Sequence, residues 1–203
     1  DLPSFPLTGI YLQEQAEEDT NIDQGLTICE ECGHAQLLYS IAPDYIYDQT
    51  YTHRSSTSPL ATKGNDFFIE FLDRVTEGRT FKKIVEIGCN DLYLLKKIKN
   101  KGERLLGVDP IWRDKDHEIN HKIKVVGKFV EEVDFQEHLG GEPDLVVSVH
   151  TFEHIDSPRE QLQKLMDRTS NDAIFVIEVP GFDSLLNLCR FDQIFHQHIQ
   201  YFS

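Results

Sequence analysis

The chain has 203 residues, and 20 Lys and Arg against 35 Asp and Glu give it a formal charge of −15, which repels phosphates and argues against a nucleic-acid substrate. Apolar residues make up 39% of the sequence but form no run near the roughly 20 residues that cross a bilayer, so no membrane span is expected. Four cysteines and no secretory signal predict a globular, cytoplasmic protein without a disulfide scaffold.

Residues 1–60 are poor in periodic apolar patterns and rich in turn formers, which predicts a small module and a linker. They contain the run Cys29-Glu30-Glu31-Cys32-Gly33-His34, in which two thiols stand two residues apart. This spacing can place both sulfurs on one tetrahedral Zn²⁺, so Cys29 and Cys32 are candidate ligands of a structural zinc. Two ligands do not complete such a site, and a pair of free thiols in a loop is the alternative.

Helix and strand patterns alternate in the rest of the chain. Residues 60–75 repeat apolar side chains at helical spacing, and a leucine patch at 185–188 is also helix-like. Further helices are predicted at 93–100 and 161–168, and short apolar strands at 83–87, 105–108, 123–126, 145–149 and 173–179. This alternation is typical of a parallel sheet covered by helices on both faces, so the sequence predicts an α/β domain over residues 61–203.

The end of the first of these strands has the features of a ligand-binding loop. In the run Val85-Glu86-Ile87-Gly88-Cys89-Asn90-Asp91, Gly88 permits close backbone approach, and Glu86 and Asp91 bring negative charge. Asp109 closes the next strand about twenty residues on, a placement suited to ribose hydroxyls. The G-x-G-x-x-G turn for a pyrophosphate is absent, which favours a cationic ligand. The alternative is that Gly88 and Asp109 merely end buried strands.

Residues 65–180 resemble class I S-adenosylmethionine-dependent methyltransferases, which have a Rossmann-like fold. The loop at 85–91, Gly107-Val108-Asp109 and the later run Glu153-His154-Ile155-Asp156-Ser157-Pro158 carry the resemblance. Leu92 stands where many relatives have glycine, and we expect it to crowd the loop. A structural role is the alternative for His150. The residues assigned to the cofactor are Glu86, Gly88, Asn90, Asp91, Asp109, Lys128, Phe129 and His150.

Nearly the whole chain is similar to zinc-binding sugar C-methyltransferases, which methylate a carbon of a nucleotide-linked keto-deoxysugar. The cysteine pair, the stretch 51–58, the loop 85–91 and the histidine-rich run at 191–203 occur in the order of that family. The resemblance implies a Rossmann-like domain with a small N-terminal zinc-knuckle module. It also implies a second cysteine pair upstream and another α/β domain downstream, so this chain is expected to be a fragment.

The same resemblance assigns the catalytic residues. His198 would be the base that removes a proton next to a ketone, a task suited to an imidazole. His154 would lie near the acceptor, and His196 and Gln197 would support the base. His53 is added because it stands where relatives have a tyrosine.

Two further positions depart from the family pattern. Phe195 and Gln197 stand where relatives have tyrosine and glutamate. Gln197 cannot ionise, and so cannot stabilise an imidazolium as a glutamate would. Three alternatives stay open: an exposed strand on which His196 and His198 merely alternate, an O- or N-methyltransferase, and a non-catalytic module that binds the cofactor.

Overall fold

The computed structural model describes residues 1–5, 7, 21–42, 54–113 and 117–203. The chain divides into two compact units. The smaller unit consists of Asp1–Tyr51, Phe152–Pro158 and Val179–Ser203, and the larger unit consists of Thr52–Thr151 and Arg159–Glu178.

The regular elements of the described residues can be given in chain order. The strands are β1 (Leu26–Ile28), β2 (Ala35–Leu37), β3 (Phe81–Ile87), β4 (Gly102–Val108), β5 (His117–Glu118), β6 (Ile123–Val126), β7 (Leu145–Val149), β8 (Ile174–Glu178) and β9 (Gln200–Tyr201). The helices are α1 (Pro59–Val75), α2 (Tyr93–Lys97), α3 (Phe135–Leu139), α4 (Pro158–Met166) and α5 (Phe182–Asn187). Each of the predicted strands and helices is present, with ends that differ by up to three residues from those predicted.

The larger unit is built on a six-stranded sheet in the order β5-β6-β4-β3-β7-β8. All neighbouring strands are parallel except β5 and β6, which are antiparallel. β3 lies between β4 and β7, with Val85 opposite both Leu106 and Val146. The chain runs outward from β3 on one side and then returns to build the other side, so β3 marks the point where strand order reverses. The predicted parallel sheet is confirmed.

Helix α1 packs one face into the core of this sheet. Ser58 caps the helix, because its side chain accepts a hydrogen bond from the Ala61 amide at 3.2 Å, and Pro59 occupies the first turn. Phe68 and Leu72 are buried with the apolar residues of β3 and β4. The other predicted apolar positions of the helix, Phe67 and Phe71 among them, are exposed.

The smaller unit contains a three-stranded sheet in the order β1-β2-β9. β1 and β2 form an antiparallel hairpin, and Ala35 of β2 lies opposite Tyr201 of β9. Phe182 and Leu185 of α5 pack on this sheet. These short strands, like β5 and α3, were not predicted. Within the described residues, no helix combines the length and the apolar composition that a membrane span needs.

Leu92 precedes α2 in the left-handed conformation, with φ 67° and ψ 22°. Its side chain is only 1% exposed and belongs to the apolar core of the larger unit. The expected crowding of the loop is therefore wrong, because the side chain turns inward and fills the core. The favourable burial has to outweigh the strain of a left-handed backbone.

We expect Leu92→Gly to destabilise the protein. The change relieves about 1 kcal/mol of left-handed strain, but emptying a buried leucine site costs about 2–5 kcal/mol. The free energy of unfolding, measured in urea, should fall by about 1–4 kcal/mol. Glu77→Gly is the matched control, since Glu77 is exposed at φ 52° and should gain up to about 1 kcal/mol. A more stable Leu92→Gly protein would contradict this account.

Candidate functional site

The backbone of the loop after β3 lies very close to Thr151 in the larger unit. Gly88 has φ 74°, and a Cβ at this position would lie 2.0 Å from Oγ1 of Thr151. The Thr151 hydroxyl in turn donates to the carbonyl of Ile87 at 3.2 Å. Only glycine fits here, because both the conformation and the space exclude a side chain. The loop lies at the carboxyl end of β3, where open α/β sheets bind ligands.

Asp109, at the end of β4, organises this loop. Its Oδ2 accepts a hydrogen bond from the Asn90 amide at 2.8 Å, and its Oδ1 accepts one from the Ile111 amide at 3.0 Å. Burial raises the pKa of Asp109 above its ordinary value, although these two bonds and the charge of Arg54 lower it in part. Each carboxylate oxygen keeps a second lone pair, which could accept a bond from a ligand hydroxyl.

The side chains of Asn90 and Asp91 tie the segment before α1 to the loop. Asn90 Oδ1 accepts a hydrogen bond from the Ser55 amide at 3.1 Å, and Asp91 Oδ2 accepts one from the Ser56 amide at 3.0 Å. The Trp112 indole donates to the Asn90 carbonyl at 2.6 Å. Asp91 Oδ1 is buried and makes no hydrogen bond to the described residues. Asn90 and Asp91, which were predicted to bind the cofactor, therefore also hold the segment before α1 against the loop.

Glu86 is the buried charge of the loop. It is 4% exposed on β3, and its Oε2 makes no hydrogen bond to the described residues. Burial raises the pKa of this carboxyl well above its ordinary value, and the charges of Asp109 and Asp91 act in the same direction. A buried carboxylate in this position is costly without a positive partner. The site therefore fits a cationic ligand such as an ammonium or sulfonium group.

The other predicted cofactor residues lie on neighbouring loops of the larger unit. Exposed His150 directly follows β7, with φ 52° and its Nε2 3.2 Å from Oε1 of Glu178. Lys128 is exposed and Phe129 is half-buried after β6. A Cβ on the preceding Gly127 would lie 2.1 Å from the Trp112 carbonyl oxygen. Gly127 therefore lies close to the backbone of Trp112.

The smaller unit brings His154, His198 and Glu153 together. Nδ1 of His154 lies 2.6 Å from the Gln197 carbonyl, so it carries the donated proton, since a carbonyl oxygen only accepts. Glu153 is fully buried, and its Oε1 lies 3.9 Å from Nε2 of each histidine. The two rings lie 5.0 Å apart between centroids. We refer to these three residues as the acid–imidazole cluster.

Glu153 was not among the predicted site residues. It stands in the Glu153-His154-Ile155 run that carried the family resemblance, but its burial depends on residues far away in the sequence. Glu153 could have been identified from the sequence, because it directly precedes a histidine in this run.

The remaining candidates of this unit have different surroundings. His196 is 1% exposed, and its Nε2 donates to the Ile22 carbonyl at 3.0 Å. His198 is 8% exposed, and the centroid of its ring lies 3.9 Å from the centroid of the Phe195 ring. The alternative of an exposed strand carrying both histidines is wrong, because both are buried and β9 begins only at Gln200. The predicted catalytic residue His53 lies outside the described residues.

The two candidate metal ligands stand in the turn of the β1–β2 hairpin. Cys29 and Cys32 are exposed, and Gly33 makes the turn with φ 75°. Hydrogen bonds from the backbone at Cys32 and Glu31 lower the pKa of the Cys29 thiol. This favours the thiolate, which is the form that binds metals. The hairpin thus fits two of the four ligands of a tetrahedral zinc site.

Comparisons with known proteins place these features in context. A family model described as a methyltransferase domain matches residues 60–203. The C-methyltransferase NovU of Streptomyces niveus is 27% identical over 208 residues, which cover 98% of this chain and 48% of NovU. The chain therefore spans about half the length of this curated relative.

A solved structure has the same fold. The N-methyltransferase NodS from Bradyrhizobium japonicum WM9, in complex with S-adenosyl-L-homocysteine, has a TM-score of 0.50 and 11% sequence identity. The match covers 65% of this chain and 68% of NodS. At this identity the likeness concerns the fold alone, and it agrees with the predicted Rossmann-like architecture.

Glu86→Gln should stabilise the unliganded protein at alkaline pH. The folded pKa of Glu86 lies above its ordinary value of 4.5, so the fold favours the protonated carboxyl and loses that stability as pH rises through the folded pKa. Glutamine mimics the protonated form, so the variant should gain about 1–3 kcal/mol in the free energy of unfolding at pH 8. The gain should shrink as the pH falls toward 4.5.

Urea denaturation at several pH values measures this difference. Glu160→Gln is the control, because Glu160 forms an exposed ion pair with Lys164 and should change stability little at any pH. A destabilised Glu86→Gln protein at pH 8 would show that the Glu86 charge is well compensated without a ligand.

Proposed function

Because this chain belongs to the family of methyltransferase domains, we propose that it forms part of a C-methyltransferase acting on a nucleotide-linked keto-deoxysugar. The family match over residues 60–203 and the fold make it an S-adenosylmethionine-dependent methyltransferase domain. The name of NovU supports carbon as the methylated atom. The sugar acceptor rests on the family resemblance of the sequence.

The main support for the proposal is the buried carboxylate of Glu86, which lies two residues before Gly88 in a loop where only glycine fits. S-adenosylmethionine, when bound, supplies a methyl group on a positively charged sulfur. Glu86 and Asp91 would meet the positive charge of such a donor, and Asp109 would accept hydrogen bonds from its ribose hydroxyls. We assign Asn90, Lys128, Phe129 and His150 to the same cofactor, with Asn90 also holding the loop in place.

Carbon methylation requires the removal of a proton next to a ketone. We assign this step to His198, which takes the proton while the electron pair of the C–H bond stays on the acceptor as an enolate. The enolate carbon would be the acceptor of the methyl group that bound S-adenosylmethionine would supply. His154 lies beside His198 with its ring oriented by the Gln197 carbonyl. We assign His196 to supporting the segment that carries the base, and we keep His53 among the proposed catalytic residues.

The full-length protein should bind S-adenosyl-L-homocysteine with micromolar affinity in calorimetry. With a thymidine-diphosphate-linked keto-deoxysugar in deuterated buffer, it should exchange the α-proton of the acceptor. His198→Asn should slow this exchange by about 100-fold or more with unchanged cofactor affinity. The control His121→Asn changes an exposed histidine of the larger unit and should behave as wild type.

Other outcomes would point to other functions. Normal turnover in His198→Asn would refute the assigned base. A product mass spectrum with the methyl group on oxygen or nitrogen would contradict carbon methylation. Tight cofactor binding without turnover on a panel of sugar nucleotides would favour a non-catalytic module.

We further propose that Cys29 and Cys32 bind a structural zinc together with two cysteines upstream, as the family resemblance implies. The full-length protein should then contain about one zinc ion per chain, measured by atomic spectroscopy. Cys29→Ser and Cys32→Ser should each lower the zinc content, whereas Cys189→Ser, at another exposed free thiol, should not. Wild-type protein without zinc would refute the proposal. We also propose a cytoplasmic location for the protein.

A further inference from the structure

We infer that Glu153 is a positioning residue that holds a negative charge against the imidazoles of His198 and His154 and thereby stabilises the protonated base. The inference rests on the proposed function, since it concerns the base of that reaction. It adds a residue that the sequence pattern did not single out. All three members of the acid–imidazole cluster belong to the smaller unit.

The geometry directs one carboxylate oxygen at both rings. Oε1 of Glu153 lies 3.9 Å from Nε2 of His154 and 3.9 Å from Nε2 of His198. This separation is too long for a direct hydrogen bond but well within the range at which opposite charges shift protonation. His154 cannot turn freely, because its Nδ1 is bound to the Gln197 carbonyl at 2.6 Å. Glu153 thus lies beside both imidazoles.

Burial strengthens the effect of this charge. Glu153 is 0% exposed and His198 is 8% exposed, so water screens their interaction little. With both imidazoles neutral, the cluster carries one negative charge. When the C–H bond of the acceptor breaks and its proton moves to His198, the cluster becomes neutral overall. A poorly solvated environment favours that change, because a buried net charge is costly.

Among the described titratable residues of these two segments outside the cluster, His196 and Tyr201 are buried, and Asp156, Asp183, Arg190 and Asp192 are exposed. His196 donates to the Ile22 carbonyl. Burial raises the pKa of Tyr201, which keeps its phenol neutral. Asp156 contacts the Gln200 side chain through its backbone carbonyl. Gln197, next to the base, cannot ionise. Among the described ion pairs, the carboxylate within 4 Å of His198 belongs to Glu153.

A titration of the histidine ring nitrogens tests the inference without any acceptor. In full-length protein labelled with ¹⁵N-histidine, the midpoint of the His198 titration should lie above that of exposed His121. Glu153→Gln should lower the His198 midpoint by about one unit or more, because a negative charge nearby favours the imidazolium. The control Asp183→Asn removes an exposed carboxylate of the same unit and should leave the midpoint in place.

The titration results decide the inference in either direction. A His198 midpoint at or below that of His121 in wild-type protein would overturn it, and this measurement needs no variant. An unchanged midpoint in folded Glu153→Gln would also overturn it. Glu153→Asp keeps the carboxylate and should therefore keep most of the upward shift of the His198 midpoint. A divalent ion bound stoichiometrically and lost in Glu153→Gln would overturn it too, since the cluster would then be a metal centre.

Kinetics separate a positioning role from a structural one. Glu153→Gln should slow α-proton exchange about 10-fold or more, with KM for the acceptor and the affinity for S-adenosyl-L-homocysteine nearly unchanged. An equal loss of cofactor affinity would indicate a structural defect and overturn the inference. If wild-type protein methylates no sugar nucleotide, the proposed function fails, while the histidine titration still decides the role of Glu153.

Discussion

Burying a carboxylate costs free energy unless a positive charge or a hydrogen-bond donor meets it, and both units of this chain bury carboxylates. Glu86 lies at the end of the central strand β3 with one oxygen unbonded by the described residues. Glu153 lies within 4 Å of two imidazoles in the smaller unit. The first carboxylate suits a cationic ligand, and the second suits a group that takes up a proton.

The fold of the larger unit explains why the Glu86 carboxylate can stay buried. Charged residues near the start of β3 and β4 are exposed, but the last four residues of each strand are buried. The loop beyond β3 is then held by backbone contacts to Asp109 and by the indole of Trp112. This scaffold can hold the Glu86 carboxyl group in position before any ligand arrives, which is the preorganisation that a binding site needs.

We propose how the smaller unit accommodates one departure from the family pattern. Gln197 stands where relatives have glutamate, which at first removes a charge from the proposed base. In the structure, residue 197 orients His154 through its backbone carbonyl, a group that every amino acid provides. Oε1 of Glu153, on another segment of the chain, lies 3.9 Å from Nε2 of His198, and we propose that it supplies a negative charge there. In the proposed site, the tasks of positioning and charge are divided between these residues.

The sequence by itself determined the parallel sheet, helix α1 and the loop from Glu86 to Asp91, because apolar periodicity and residues at strand ends are local patterns that short windows reveal. Only the tertiary structure decided that β2 pairs with β9, that Leu92 fills the core, and that Glu153 and both histidines of the terminal run are buried. Strands of two or three residues are too short for a periodic signal. Burial and pairing between such distant segments depend on contacts that no local pattern encodes.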